Sequence, residues 1–118
     1  MLWRIDSGSD DPLYAQLVAQ VHVALARGEL SPGDRLPAAR ELAESLELNM
    51  HTVLRAYQEL RDDGVLELRR GRGAVVVPGT PHGQDRVRRA LAAYAAAALE
   101  AGLSPEAATT LLKEEMSR

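Results

Sequence analysis

The chain has 118 residues, 46% apolar and 26% charged, with fourteen bases against seventeen acids for a net charge of −3. That length allows one domain, or one domain with a short appendage, and is too short for a cofactor-carrying catalytic fold with its own binding domain. The absence of Cys excludes a disulfide scaffold, a Cys-based zinc site and a thiol nucleophile, and the acidic balance argues mildly against a nucleic-acid partner.

No apolar run approaches the roughly 20 residues of a membrane span, and Met1-Leu2-Trp3-Arg4-Ile5-Asp6 lacks a secretory-signal pattern. The expectation is a small soluble cytoplasmic protein with no membrane partner. Thirteen of the fourteen bases are Arg, and with no Phe the core must be almost entirely aliphatic.

Trp3 and Ile5 alternate with Arg4 and Asp6, which fits a short strand or extended arm. Asp11-Pro12 reads as a helix start, with the carboxylate at N-cap and Pro at the first helical position. Leu13, Leu17, Val18, Val21, Ala24 and Leu25 then recur at helical spacing until Gly28, predicting a helix over about 12–27. Ser31-Pro32-Gly33-Asp34 is turn chemistry, and Arg35-Leu36-Pro37 is extended because the residue before Pro avoids the α region. A short second helix carries Leu42, Ala43 and Leu46 inward and stops near Glu47-Leu48. Asn49 is an N-cap for a third helix with Val53, Leu54, Tyr57 and Leu60 inward, ended by Gly64.

After Gly64 the period changes from 3.6 to 2. Leu66 and Leu68 alternate with Glu67 and Arg69, and residues 74–77 form a β-branched run beyond the turn Arg70-Gly71-Arg72-Gly73. Three helices followed by a hairpin give a mainly α fold with a small β-hairpin, in the order of a winged helix-turn-helix. Pro78-Gly79-Thr80-Pro81-His82-Gly83 reads as a linker. Val87, Leu91, Tyr94, Ala98 and Ala101 then follow a 4, 3, 4, 3 spacing, a heptad seam. Gly102 breaks that helix, and Ser104-Pro105-Glu106 starts another with Ala108, Leu111, Leu112 and Met116 on one side. Two such helices are too small to bury themselves and need the winged unit or a second copy as a neighbour.

Catalysis finds little support. His22, His51 and His82 have no ligand partners at metal spacing, no nucleophile or phosphate-loop motif occurs, and Asp62-Asp63 and Glu114-Glu115 diverge on a helix. No enzyme, metal or cofactor is expected. For DNA, the third helix offers Asn49, His51, Thr52 and Arg55 on the side away from its apolar face. Arg55 could instead pair with Glu59 at i,i+4, and Arg40 on the second helix with Glu44. Arg69, Arg70 and Arg72 among Gly71 and Gly73 make a compact cationic tip suited to a minor groove.

Pro12-Leu13-Tyr14-Ala15-Gln16-Leu17, Gly28-Glu29-Leu30-Ser31-Pro32-Gly33-Asp34-Arg35-Leu36-Pro37, Arg40-Glu41-Leu42-Ala43 and residues 49–60 together resemble the GntR superfamily of bacterial transcription regulators. The likeness covers residues 5–77, and Asn49-x-x-Thr52-Val53-x-Arg55-Ala56-Tyr57 is similar to two subfamilies. A MocR-like member would carry a large aminotransferase-like domain; the 35 residues after the linker fit the YtrA-like subfamily, with its short two-helix tail. The resemblance implies a homodimeric repressor of a palindromic operator in double-stranded DNA. It implies DNA contacts from Arg40, from Asn49, His51 and Thr52, and from Arg72 and Gly73 at the wing. Met50 stands where many relatives outside the subfamily have a base-reading Arg, so base readout is expected to be either weaker or moved to His51 and Arg55. Ala38 replaces the usual Ser, so the second helix is expected to lack a side-chain cap.

The sequence therefore predicts a DNA-binding domain over 1–77, a linker over 78–83 and a dimerisation tail over 84–118. The DNA face comprises Arg40, Asn49, His51, Thr52, Arg55, Arg70, Arg72 and Gly73, and the dimer face Val87, Leu91, Tyr94, Ala98, Leu111 and Leu112. An Ala-rich tail of 35 residues leaves little room for an effector pocket, and the sequence names no effector. The rival readings are a protein-docking winged helix, against which guanidiniums on three elements weigh, and a sequence-independent architectural DNA binder. Residues 1–34 carry two bases and five acids, so the whole acidic excess lies away from the proposed DNA face.

Overall fold

A computed structural model describes residues 2–69, 73–77 and 83–118. The chain divides into two compact units, Met1–His82 and Gly83–Arg118. The first contains α1 (Leu13–Arg27), β1 (Arg35–Leu36), α2 (Ala39–Leu46), α3 (Met50–Asp62), β2 (Leu66–Arg69) and β3 (Gly73–Val76). The second contains α4 (Gly83–Glu100) and α5 (Pro105–Met116).

The N-terminal segment is an extended arm rather than a strand. Its backbone is satisfied by two glutamines one turn apart on α1: Gln16 accepts from Asp6 N at 2.8 Å and donates back to Asp6 O at 2.9 Å. Gln20 does the same for Arg4, accepting from its N–H at 2.8 Å and donating to its carbonyl. Trp3 and Ile5 thereby pack against the core. The expected Asp11 cap is wrong by one residue. Pro12 is the N-cap, with extended φ −56° and ψ 149°, and no side chain caps α1. Having no N–H, Pro12 suits this boundary, and the Asp11 carbonyl is taken instead by Gln16 Nε2.

The 31–34 turn forms as expected, closed by Asp34 N donating to Ser31 O at 3.0 Å. Its neighbour departs from the expectation of a hairpin alone. Arg35 and Leu36 pair antiparallel with Val75 and Ala74, giving a three-stranded sheet in the order β1-β3-β2. This makes β3 the central strand, and Ala74, Val75 and Val76 are all buried.

Helix α3 packs against α1, α2 and β2. It buries Val53, Ala56, Tyr57 and Leu60, an i, i+3, i+4, i+7 stripe that fixes its rotation. Leu17, Val21, Leu42 and Leu66 complete an aliphatic core. Tyr57 supplies a polar tie at that core, its hydroxyl donating to Pro37 O at 2.7 Å. Burial, and secondarily the negative charge of Glu41, pushes that hydroxyl's pKa well above its ordinary value.

The break between the tail helices falls where the sequence predicts, whereas α4 already begins at Gly83, the last residue of the expected linker. Gly102 at φ 76° lets the chain leave α4, with Leu103 N donating to Ala98 O, and Ser104 caps α5 by accepting from Ala107 N at 3.1 Å. No buried residue occurs in α5, and among the described residues of the tail only Ala98 is buried.

Candidate nucleic-acid interface

The buried stripe of α3 leaves His51, Arg55 and Gln58 exposed on its opposite side, with Thr52 half-buried beside them. Asn49 sets where that face begins: its Oδ1 accepts from His51 N at 2.8 Å, capping the helix as expected. The turn before it is tight. Glu47 closes α2 in the left-handed region at φ 56°, so α2 and α3 are separated by only three residues. Ala38 at the start of α2 makes no side-chain cap, also as expected.

Neither alternative ion pair forms. Among the described residues, Arg40 is exposed with no acidic partner, and Arg55 does not pair with Glu59. The Arg55 guanidinium instead lies over the ring of Tyr14, 3.8 Å from its centroid. Tyr14 stands at the start of α1, so the first turns of α1 and α3 flank one open cleft of about 400 Å3. Pro12, Leu13, Tyr14, Asn49, His51, Thr52 and Arg55 line it, with no carboxylate among them. The cleft therefore presents donors to an acceptor-bearing ligand.

Tyr14 is the residue that reading the sequence as a set of helical faces missed. Its signal was available: Tyr14 continues the buried stripe one step before Leu17 and Val18, at the edge where that stripe runs out. The acids of α3 lie at its other end, where Asp62 holds Arg61 at 3.3 Å.

The wing is described only in part. Arg70 and Arg72 lie outside the described residues, as does most of the 78–83 linker. Arg69 and Gly73 are paired at the ends of β2 and β3, and Arg69 Nε lies 3.5 Å from Glu67. Gly73 has a structural requirement of its own: at φ 72°, an added Cβ would sit 2.9 Å from the Leu36 carbonyl oxygen and 3.2 Å from Ala38 N.

In the tail unit, Val87 and Leu91 of α4 are 55% and 57% exposed, and Leu111 and Leu112 of α5 48% and 41%. With Ala90, Tyr94 and Met116 they line a largely apolar groove of about 650 Å3. The expectation of a tail without room for a pocket fails for the single chain. Small residues, Ala98, Ala107 and Ala108, are covered beside the α4–α5 turn, whereas the large side chains line the other end. Tyr94 spans the pair, its hydroxyl donating to Ala108 O at 2.6 Å. Ala98 is already buried within its own chain, unlike the rest of the seam.

Three helices with a capped, outward-facing third helix and a three-stranded antiparallel wing define a winged helix-turn-helix protein. The chain belongs to the gntR family of bacterial regulatory proteins, whose family model matches residues 13–76. The HTH-type transcriptional repressor YtrA of Bacillus subtilis (strain 168) is 41% identical over 73 residues, 62% of this chain and 56% of YtrA. The matched region thus spans little more than half the length of such curated relatives. Among solved structures, YtrA from Sulfolobus acidocaldarius, a GntR-family transcription factor, matches with a TM-score of 0.62 at 34% identity. That match covers 98% of this chain and 97% of the other, tail included. AraR(DBD), solved in complex with operator ORE1, matches with a TM-score of 0.53 at 27% identity over 64% of this chain and 95% of its own. The YtrA-like character expected from the motifs holds, and the family is one of regulators, not enzymes.

Proposed function

We propose that this chain is a cytoplasmic transcriptional repressor that binds a palindromic operator as a homodimer. Residues 1–77 bind DNA, 78–83 connect, and 84–118 dimerise. The observation that carries the reading is the state of α3: seated by its buried stripe, capped by Asn49, and presenting His51, Thr52 and Arg55 in a cleft with no carboxylate among its described lining residues. A recognition helix enters the major groove with this N-terminal half, while Arg40 on α2 reaches the phosphate backbone. Arg70, Arg72 and Gly73 belong to the wing in this reading, with Gly73 acting through the backbone path it permits.

The apolar groove of the tail supports the dimer. Val87, Leu91, Tyr94, Leu111 and Leu112, with Met116 added, form a largely apolar lining, with Glu115 among them, that a second copy covers by two-fold symmetry; Ala98 is buried within its own chain and lies outside that lining. Two-fold pairing sets two α3 helices about one DNA turn (roughly 34 Å) apart. Selection of bound duplexes from a random-sequence library tests the whole reading. Enrichment of an inverted repeat with that spacing is expected, and recovery of no common sequence contradicts it.

A further inference from the structure

We propose that Tyr14 is a positioning residue for DNA recognition: its ring holds the Arg55 guanidinium as a fixed planar fork for one pair of acceptor atoms on DNA. The inference rests on the DNA-binding reading above and adds to it a residue from outside the helix-turn-helix.

Three observations converge on Tyr14. The guanidinium lies 3.8 Å from the ring centroid, within the range where a cation is attracted to the negative face of an aromatic ring. The ring itself is held, because Tyr14 packs against the buried core at the start of α1. Arg55 makes no ion pair and no hydrogen bond among the described residues, so its in-plane N–H groups remain available. Stacking and hydrogen bonding do not compete on a guanidinium. The ring attracts the face of the plane, and the five donors point outward from its edge.

A free arginine must surrender rotamer freedom when it docks. A stacked one has given up part of that already. The stack also turns the fork toward a cleft whose other polar lining, Asn49, His51 and Thr52, comes from the first turn of α3 and includes no carboxylate. The ligand such an edge takes is a pair of neighbouring acceptors: two phosphate oxygens of the backbone, or O6 and N7 of a guanine.

The test uses the full chain and a fluorescent duplex recovered by the selection above, with Tyr14→Phe, Tyr14→Leu, Arg55→Ala and the double variant Tyr14→Leu/Arg55→Ala. Tyr14→Phe keeps the ring face and is expected to bind within about twofold of the parent. Tyr14→Leu keeps the apolar contact but not the ring face, and is expected to weaken binding about three- to fivefold. Arg55→Ala is expected to weaken it about tenfold, and adding Tyr14→Leu to it should cost nothing more.

Thermal melting accompanies each variant, and the double variant separates positioning from general packing, because a packing defect would cost the same with or without Arg55. Loss of preference at a single G·C pair in Tyr14→Leu assigns the acceptors to guanine; a uniform loss with a salt slope shallower by about one assigns them to phosphate, and either sustains the proposal. Equal cost of Tyr14→Leu in both backgrounds overturns it, as does a Tyr14→Phe loss as large as that of Tyr14→Leu. If the parent recovers no duplex at all, the DNA-binding reading fails and takes this inference with it. If the parent binds and Arg40→Ala weakens it while Tyr14 and Arg55 act independently, only this inference fails.

Discussion

The two units bury their apolar residues in different ways. In the first, α1, α2, α3 and the sheet close around Leu17, Val21, Leu42, Val53, Leu60 and Val76, each at most 2% exposed. In the second, described α4 and α5 side chains bury only Ala98, and Val87, Leu91, Leu111, Leu112 and Met116 face outward. The winged unit is complete as one copy, and its polar outer face is free to meet a charged ligand. The tail spends its apolar residues on a surface, which water disfavours by about 25 cal/mol per Å2 until something covers it. In the proposed reading, one unit recognises DNA and the other associates with a second copy.

That contrast can be broken at several depths. The deepest cut is Leu60→Ala, which opens a cavity at a fully buried position of the core; it should cost about 2–5 kcal/mol in urea unfolding, whereas Leu91→Ala should leave the winged unit's transition in the full chain unchanged. Next comes Gly73→Ala. Its positive φ and the 2.9 Å approach of the Leu36 carbonyl predict a loss of about 2–3 kcal/mol, visible as a lower melting temperature even without DNA.

The tail is tested by charge. Leu91→Asp with Leu112→Asp places carboxylates in the groove and should convert dimers to monomers by light scattering, with helical content in the winged unit retained. The smallest effect is expected for Tyr57→Phe, which removes one hydrogen bond to Pro37 O and should cost about 1 kcal/mol near neutral pH. The sign of its pH dependence is set by the raised pKa. The folded state keeps the hydroxyl protonated after the unfolded chain begins to lose its proton near pH 10, so the parent loses stability as pH rises above 10. Tyr57→Phe should lose less over that window.

Most of the helical framework was legible because it is written locally. Asn49, Ser104, Gly28 and Gly102 mark ends through their own backbone and side-chain chemistry, and the stripe Val53, Tyr57, Leu60 fixes the rotation of α3. The strand β1 was not legible. Two residues cannot show a period, and its partners Val75 and Ala74 lie some forty positions away. The Asp11 cap failed because Asp-Pro is compatible with two boundaries, and the contact that decides between them comes from Gln16.

The candidate site divides the same way. His51, Thr52 and Arg55 follow from helix periodicity, and their exposure agrees with it. The partner of Arg55 does not follow, since Glu59 is its neighbour in sequence and Tyr14 its neighbour in space. Local i,i+4 pairs on an exposed helix contribute only about 0.2–0.5 kcal/mol, too little to hold Arg55 against a ring face beside it. The open groove of the tail was misjudged because composition counts alanines without saying which end of the helix pair they fill.

The division of labour between the units is tested most directly by comparing a selected inverted repeat with a duplex carrying only one half-site, for the parent and for the Leu91→Asp, Leu112→Asp variant. The parent is expected to prefer the full repeat by about 100-fold or more, because its second half-site binds as an intramolecular event. The variant should bind both duplexes alike, near the parent's half-site affinity. Equal parental affinity for the two duplexes, or an unaltered preference in the variant, would contradict a tail that exists to bring two reading units together.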